Sequence, residues 1–411
     1  MNYILLKENS IPKFIPVRND ICIKNNYEIC NNLHHEDFYI VIYFINSNKC
    51  KIIIRRIDEE TGWINNLQLK LYNISNNNYE NISCGSSNKN EKIFIIYTNI
   101  LIEPVILNNQ KIPKRIVQTS RNNTYNSLLH YNAVKTFIEL NPEYEYYFFD
   151  DIDCRLFIKE NFDISVLDAY DILAPGAFKA DLFRYCYVYI MGGCYFDNKY
   201  ILRVPLRNVI KTEYDNVYCK DTADDLMFNS IILSVKNCIE LKNSIERIVQ
   251  NVKNKHYGKI SLEPTGPKLF NIFTKDKNVI LYHKSVGKHY TGAKVLFKNN
   301  NELFCNTHYK GYYYNPNFRI VTYEDLFQRR EIYYLNMIKI NDYVILVFPH
   351  HTSDIFNFWI NDNKIIIKRI DRDCGWGQDL KIRVIDNNTN IYNDINIGNS
   401  DNNIREIEYN K

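Results

Sequence analysis

The sequence predicts an α/β protein in which a central domain with a mostly parallel sheet is flanked by two related β-rich modules. Two observations predict it. Between about residues 110 and 330, helical patterns alternate with short apolar strands, and a single β-rich pattern occurs at both ends of the chain. Strands that alternate with helices form parallel sheets through crossover connections, whereas period-two alternation broken by turn residues marks antiparallel strands.

The repeat fixes the ends. Residues 52–90, beginning "IIIRRIDEETGWINNLQLKLYN", align without a gap on residues 365–403, beginning "IIIKRIDRDCGWGQDLKIRVID". Asp58 falls on Asp371, Gly62-Trp63 on Gly375-Trp376, Tyr79 on Tyr392, Ile82 on Ile395 and Gly85 on Gly398. Leu67, Leu69 and Leu71 alternate with polar residues, as do Leu380, Ile382 and Val384, giving one buried and one solvated face. Two copies do not make a solenoid, so they read as one module placed at each end: residues 1–105 and 334–411, around a domain at 106–333. An exposed indole is a platform for a pyranose, but Trp after a glycine turn is more often a core residue, and that is the expectation for both Gly-Trp pairs.

In the central domain the helical stretch "YNSLLHYNAVKTFIEL" is interleaved with the strands "KRIVQT", "YEYYFFD", "GGCYFD", "NVYCK" and "NVILYH". Ligands of such sheets sit outside the carboxyl ends of the strands. The carboxylates of "FFDD" and "YFD" fall there.

Composition narrows the partners. A chain of 411 residues holds two or three cores rather than one. Its 45% hydrophobic and 24% charged residues are those of a soluble globular protein. The net charge of +4 is small and spread, with no basic block to bind nucleic acid, so the expected charged partner is a small diphosphate. Tyr (33) and Phe (22) are abundant beside Gly (13) and Pro (11), and Asn, Ile and Lys are plentiful, a bias toward A/T-rich codons such as those of a large DNA virus. Asn-x-Ser/Thr triplets at Asn73, Asn81, Asn122 and Asn387 arise by chance in such a chain and carry no weight. The eleven cysteines lack any Cys-x-x-Cys pair and read as buried, reduced thiols. The N-terminus has no signal-peptide core, and the longest apolar run, "FYIVIYFI" at 38–45, is strand length. The expectation is a protein without a transmembrane segment, in the host cytoplasm or a virion.

The stretch "APGAFKADLFRYCYVYIMGGCYFDNK" carries the chemistry. Pro175 and Gly176 suit a helix start. Ala177, Ala180, Asp181 and Arg184 then share one face, while Phe178, Leu182, Phe183 and Cys186 suit the core. Such a face can approach a polar ligand closely; the plain alternative is a solvated Asp-Arg pair of little energy. After Gly192-Gly193 a strand ends at Asp197. A carboxylate at that position can help neutralise a leaving diphosphate through a hard divalent cation.

The order "KIPKRIVQTS", "LNPEYEYYFFDD", "KADLFRY…GGCYFDNK" and "TGPKLF" resembles the glycosyltransferase family with a DXD sugar-binding region, the group of yeast-type initiating α-mannosyltransferases and capsular polysaccharide transferases. The resemblance covers roughly the central half of the chain. It implies a GT-A-like, Rossmann-like fold and transfer of a hexose or N-acetylhexosamine from a UDP- or GDP-sugar to a hydroxyl of a glycan or glycoprotein, with retention at the anomeric carbon. It further implies that Gln118 and Thr119 lie near the nucleotide, and that Asp181 and Arg184 contact the donor sugar or its diphosphate with Tyr185 packed beside them. Gly192 and Gly193 would give close backbone approach, and Asp197 would contact the ribose or the metal shell. Asp150 and Asp151 match the earlier acidic pair, which equally well caps a strand end. Thr265, Gly266 and Pro267 match the segment that shapes the acceptor side.

The departures are local. Val117 and Ser120 replace the family's His and Trp, and Lys199 stands where the second Asp of the motif binds metal. Lys repels a divalent cation and attracts phosphate oxygens. Three readings follow: Mn²⁺ or Mg²⁺ held by Asp197 with carboxylates or His from elsewhere, such as Asp224, Asp225, His283 or His289; a metal-independent site in which Lys199 replaces the cation; or an inactive glycan-binding scaffold. A dehydrogenase is set aside because no G-x-G-x-x-G follows a strand.

Overall fold

A computed structural model describes residues 110–275 (except 122 and 124–127), 279–286, 292–307, 323–334 and most of 337–408, together with strands between residues 14 and 97. Asp58, Asp371, Gly375 and the Trp63 side chain lie outside the described residues.

The central sheet has ten strands: β1 (Phe14–Ile15), β2 (Arg115–Thr119), β3 (Glu145–Phe149), β4 (Gly193–Phe196), β5 (Tyr200–Leu202), β6 (Asn216–Lys220), β7 (Met227–Ser234), β8 (Val279–Val286), β9 (Gly292–Phe297) and β10 (Leu303–Thr307). Their order is β1-β3-β2-β4-β7-β6-β8-β9-β10-β5. Pairing is parallel for β3-β2, β2-β4 and β6-β8, and β7 lies antiparallel between β4 and β6. As a result β2, β3, β4, β6, β8 and β10 all run in one direction, and the carboxyl ends of the first five come to one edge. The two-residue strand β1 comes from the segment assigned to the N-terminal module and pairs with β3.

Strand alternation splits the core into two layers. Val117, Tyr195, Tyr218 and Ile232 face one layer, together with residues of helices α2 (Asp151–Asn161), α3 (Ile164–Ile172), α4 (Gly176–Met191), α5 (Ile239–Lys253) and α6 (Pro267–Thr274). Their neighbours Ile116, Cys194, Phe196, Val217 and Leu233 face the other, with Val134 and Phe137 of α1 (Leu128–Leu140). The described cysteines, among them Cys154, Cys186, Cys194 and Cys238, are free and buried. No helix among the described residues is long and apolar enough to cross a membrane.

Helix α4 begins after Pro175 and stops at Gly192, whose φ of 64° belongs to the left-handed region that glycine favours. A Cβ on Gly192 would lie 2.7 Å from Pro113 Cγ, and one on Gly193 (φ 109°) 2.7 Å from the Arg115 carbonyl oxygen. The closeness of the chain to itself accounts for both glycines.

Toward both ends of the chain the described residues form strands. The hairpin Thr61–Asn73/Asn78–Lys89 pairs Trp63 with Ser87, Leu67 with Gly85 and Leu69 with Ile82. Its counterpart Trp376–Asp386/Tyr392–Ser400 pairs Trp376 with Ser400, Leu380 with Gly398 and Ile382 with Ile395. These are the aligned positions of the repeat, and the register shifts at the same places in each. The Trp376 indole is 3% exposed and its Nε1 donates to the Gly398 carbonyl at 2.8 Å, so it is a core residue and not a sugar platform. It packs between two sheets with Ile345, Phe358, Ile367 and Val384.

The C-terminal strands rest on the central domain. Arg155 of α2 forms a two-pronged pair with Asp171 of α3, both contacts at 2.8 Å, and also donates to Asn390 Oδ1 (2.7 Å) and Asn387 Oδ1 (3.0 Å) in the Trp376–Ser400 hairpin. Lys159 donates to the Asn387 carbonyl, and Lys339 pairs with Asp168 at 2.6 Å.

Candidate active site

At the carboxyl edge of β4 four charged side chains form a chain. Asp181 and Arg184 project from α4 one turn apart, as the spacing requires. Arg184 Nη2 lies 3.3 Å from Asp181 Oδ1 and 3.2 Å from Asp197 Oδ1, and Lys199 Nζ lies 2.8 Å from Asp197 Oδ2. The Asp-Arg pair is not the solvated pair of the plain alternative: Asp181 is 8% exposed and Arg184 4%. Lys199 is the open end of the chain, its side chain 29% exposed.

Neutral groups complete the site. Asn229 of β7 donates from Nδ2 to Asp181 Oδ1 and to the Tyr185 hydroxyl, both at 2.8 Å, while its backbone carbonyl accepts from Arg184 Nη1 at 2.8 Å. Thr265 donates to Asp181 Oδ2 at 2.7 Å. The Tyr195 hydroxyl donates to Asp197 Oδ1 at 3.0 Å, and its ring lies 4.7 Å beneath the Arg184 guanidinium. Gln118 donates to the Asp197 carbonyl at 3.3 Å and accepts from Tyr146 at 2.7 Å. A Cβ on Gly266 would stand 3.3 Å from Asp181 Oδ2, so the small residue leaves room for that carboxylate.

These surroundings drive the two carboxylates apart. Burial raises the Asp181 carboxyl above its ordinary value, and Arg184, Thr265 and Asn229 only partly offset it. Burial acts on Asp197 in the same sense, but there Lys199 and Arg184 outweigh it and hold the carboxyl well below the usual range. Asp197 is a firmly ionised group flanked by two cations.

The structure thus brings together Gln118, Asp181, Arg184, Tyr185, Asp197, Lys199, Thr265 and Gly266. Other predicted residues have local partners. Thr119 donates to the Phe149 carbonyl at 2.8 Å and lies 3.2 Å from Cys154 Sγ. Asp150 caps α2 by accepting from the Asp153 backbone, and Asp153 accepts from the Asp150 backbone in return. Asp151 sits in the first turn of α2, its carboxyl raised by burial despite the charges of Lys179 and Arg383. Sequence reasoning missed Asn229 and Tyr195. For Asn229 the signal was a polar pair, Asn229-Ser230, inside the apolar run "LMFNSIILS".

Residues 127–216 match the family model of the glycosyltransferase sugar-binding region containing a DXD motif. The match takes in α1, α4 and the acidic end of β4, and stops short of Asn229 and Thr265. No curated protein matches the chain. Among solved structures, it is similar to one titled "PaToxG Glycosyltransferase", with 15% identity and a TM-score of 0.32 over 40% of this chain and 68% of that one.

A DXD glycosyltransferase region implies a divalent cation, and the described residues here do not fit one; His289 lies outside them. Both oxygens of Asp197 are engaged by cationic side chains, and the second position of the motif is itself a cation. A metal would have to displace Lys199 and then sit beside it. Among the described residues, no three His, Cys, Asp or Glu side chains are grouped to hold a metal.

Proposed function

We propose that this protein is a glycosyltransferase that moves a hexose or N-acetylhexosamine from a UDP- or GDP-sugar to a hydroxyl of a glycan or glycoprotein, with protein cations in place of a metal. The observation that carries this reading is the chain Asp181–Arg184–Asp197–Lys199, buried at one end and open at the other, on the edge of an α/β sheet where ligands bind. Breaking the bond between the sugar and the diphosphate puts negative charge on the leaving group, and a prepositioned ammonium stabilises that charge as it develops. Lys199 is the more accessible cation of the chain, its side chain 29% exposed against 5% for Arg184, and Arg184 behind it keeps Asp197 ionised to orient it. Asp181, held by Asn229 and Thr265, is the candidate contact for the sugar hydroxyls. The family resemblance adds the expectation of retention at the anomeric carbon.

We read the end segments as two copies of one β-rich module, on the strength of their shared hairpin register. The C-terminal copy then serves as a support for α2 and α3.

Nucleotide release tests the reading. UDP-glucose, UDP-N-acetylglucosamine and GDP-mannose are each incubated with the protein, with water or simple glycosides as acceptors. At least one donor should yield free UDP or GDP, and Asp197→Asn should abolish the yield. A scaffold would release none from any donor.

A further inference from the structure

A second pair of side chains lies near the same edge of the sheet. β6 and β8 run parallel with Lys220 opposite Tyr282, so Asp221, just past the end of β6, and His283, within β8, lie side by side. His283 Nδ1 lies 2.8 Å from Asp221 Oδ1, with side chains 12% and 9% exposed. An ionised carboxylate accepts hydrogen bonds and has none to donate, so Nδ1 carries the ring proton. With the proton on Nδ1, Nε2 is the nitrogen that can accept a proton. The ring lies flat on Phe228, with centroids 4.1 Å apart and planes 15° apart, which fixes its orientation.

Position links this pair to the carboxylate chain. Phe228 and Asn229 point to opposite faces of β7, so the link does not run through Asp181 but through Lys199 at the sheet edge. The Phe228 ring meets Tyr200 edge-on, and the Lys199 ammonium lies 5.4 Å from the Tyr200 centroid. Tyr323, whose ring packs on Phe178 of α4, is within electrostatic reach of Lys199, Asp181 and Asp221 together.

We propose that His283 is the general base that takes the proton of the acceptor hydroxyl, and that Asp221 is its positioning residue. This rests on the transferase reading above and assigns that reaction its proton acceptor. In the step, the acceptor O–H bond breaks and its proton passes to Nε2. The oxygen electron pair forms the new bond to the anomeric carbon. The bond from that carbon to the diphosphate oxygen breaks, and its electron pair leaves with the nucleoside diphosphate toward Lys199. The Asp221 carboxylate faces the imidazolium that results and stabilises it. The face from which the hydroxyl approaches, not the base, sets the anomeric outcome.

The experiment uses the full chain, the three sugar nucleotides named above and water as acceptor, with calorimetry of UDP and GDP in parallel. His283→Gln keeps a polar side chain of similar reach but cannot take up the proton. It should lower kcat by about a hundredfold or more while leaving nucleotide affinity within about threefold. Asp221→Asn should lower kcat with the donor KM unchanged, the split expected when orientation of the base is lost and binding is not. Imidazole added to His283→Ala should restore part of the turnover, which a merely structural histidine would not allow. Unchanged kcat in His283→Gln overturns the proposal, as does loss of nucleotide affinity in step with activity. If His283→Gln does not fold, absence of imidazole rescue in His283→Ala overturns it instead. A wild-type protein that binds and cleaves no sugar nucleotide fails the transferase reading itself, and that failure appears before any variant is made.

Discussion

Lys199 Nζ lies 2.8 Å from Asp197 Oδ2, so the residue that replaces the second carboxylate of the acidic motif is paired with the first. With Arg184 on the other oxygen, Asp197 is enclosed by positive charge. On the proposed reading, the substitution puts a fixed ammonium where the motif's second carboxylate would help hold a dication. An ammonium carries less charge than a metal, but it sits in place before the donor arrives and requires no reorganisation.

Restoring the motif with Lys199→Asp should reverse this. In EDTA the variant should bind UDP or GDP about ten- to a hundredfold more weakly than wild type, the range of a charge-assisted hydrogen bond. Mn²⁺ should recover part of the loss in the variant and change nothing in wild type. Calorimetric titration reads both effects, and a variant that binds as well as wild type in EDTA would refute a role for Lys199.

The Arg155–Asp171 pair is buried, with side chains 4% and 2% exposed, and it reaches Asn387 and Asn390 of the C-terminal hairpin. Arg155→Met leaves Asp171 buried and uncompensated, so urea unfolding should show a loss of about 3–5 kcal/mol. Adding Asp171→Leu should recover much of it, because the pair is coupled and the effects do not add. Additive losses would mean that the pair does not act as a unit.

Lys179 is buried on the far side of α4 from the carboxylates, its ammonium donating to the Tyr170 carbonyl at 2.5 Å. Burial lowers its pKa from 10.5 to about 8, against the raising effect of Asp171. Between these two values the unfolded chain holds the proton and the folded chain does not. Stability should therefore rise with pH from about 8 to about 10.5, and below that window the buried charge carries its full penalty. Urea midpoints of wild type compared with Lys179→Met should diverge across this interval, and parallel curves would count against the assignment.

Much of the central domain was legible because its signals are local. The start of α4 at Pro175, its stop at Gly192 and the strand that ends before Asp197 all follow from neighbouring residues. The antiparallel strand β7 was not read, since an apolar run of that length lacks a period that separates it from a buried helix segment. Asn229 was missed with it. The burial of the Asp181–Arg184 pair was also out of reach, because it depends on β7 and Thr265, both distant in sequence. The contacts of Asn387 and Asn390 with Arg155 left no trace in a chain so rich in asparagine.

The shared hairpin register makes a separate prediction. Gly85 and Gly398 occupy equivalent positions with φ of 64° and 71°. A side chain there is strained in the left-handed region, by roughly 1–2 kcal/mol. Gly398→Ala should lower the melting temperature, and Gly85→Ala should lower it comparably if the two hairpins are copies of one design. An effect at one glycine alone would argue against equivalence.

The most direct test of the account is a calorimetric titration of UDP and GDP into the wild-type protein, once with Mn²⁺ and once with EDTA. The account predicts that one of the two nucleotides binds with the same affinity in both buffers. Binding that appears only with Mn²⁺ would contradict the role given to Lys199, and binding in neither buffer would contradict the donor site itself.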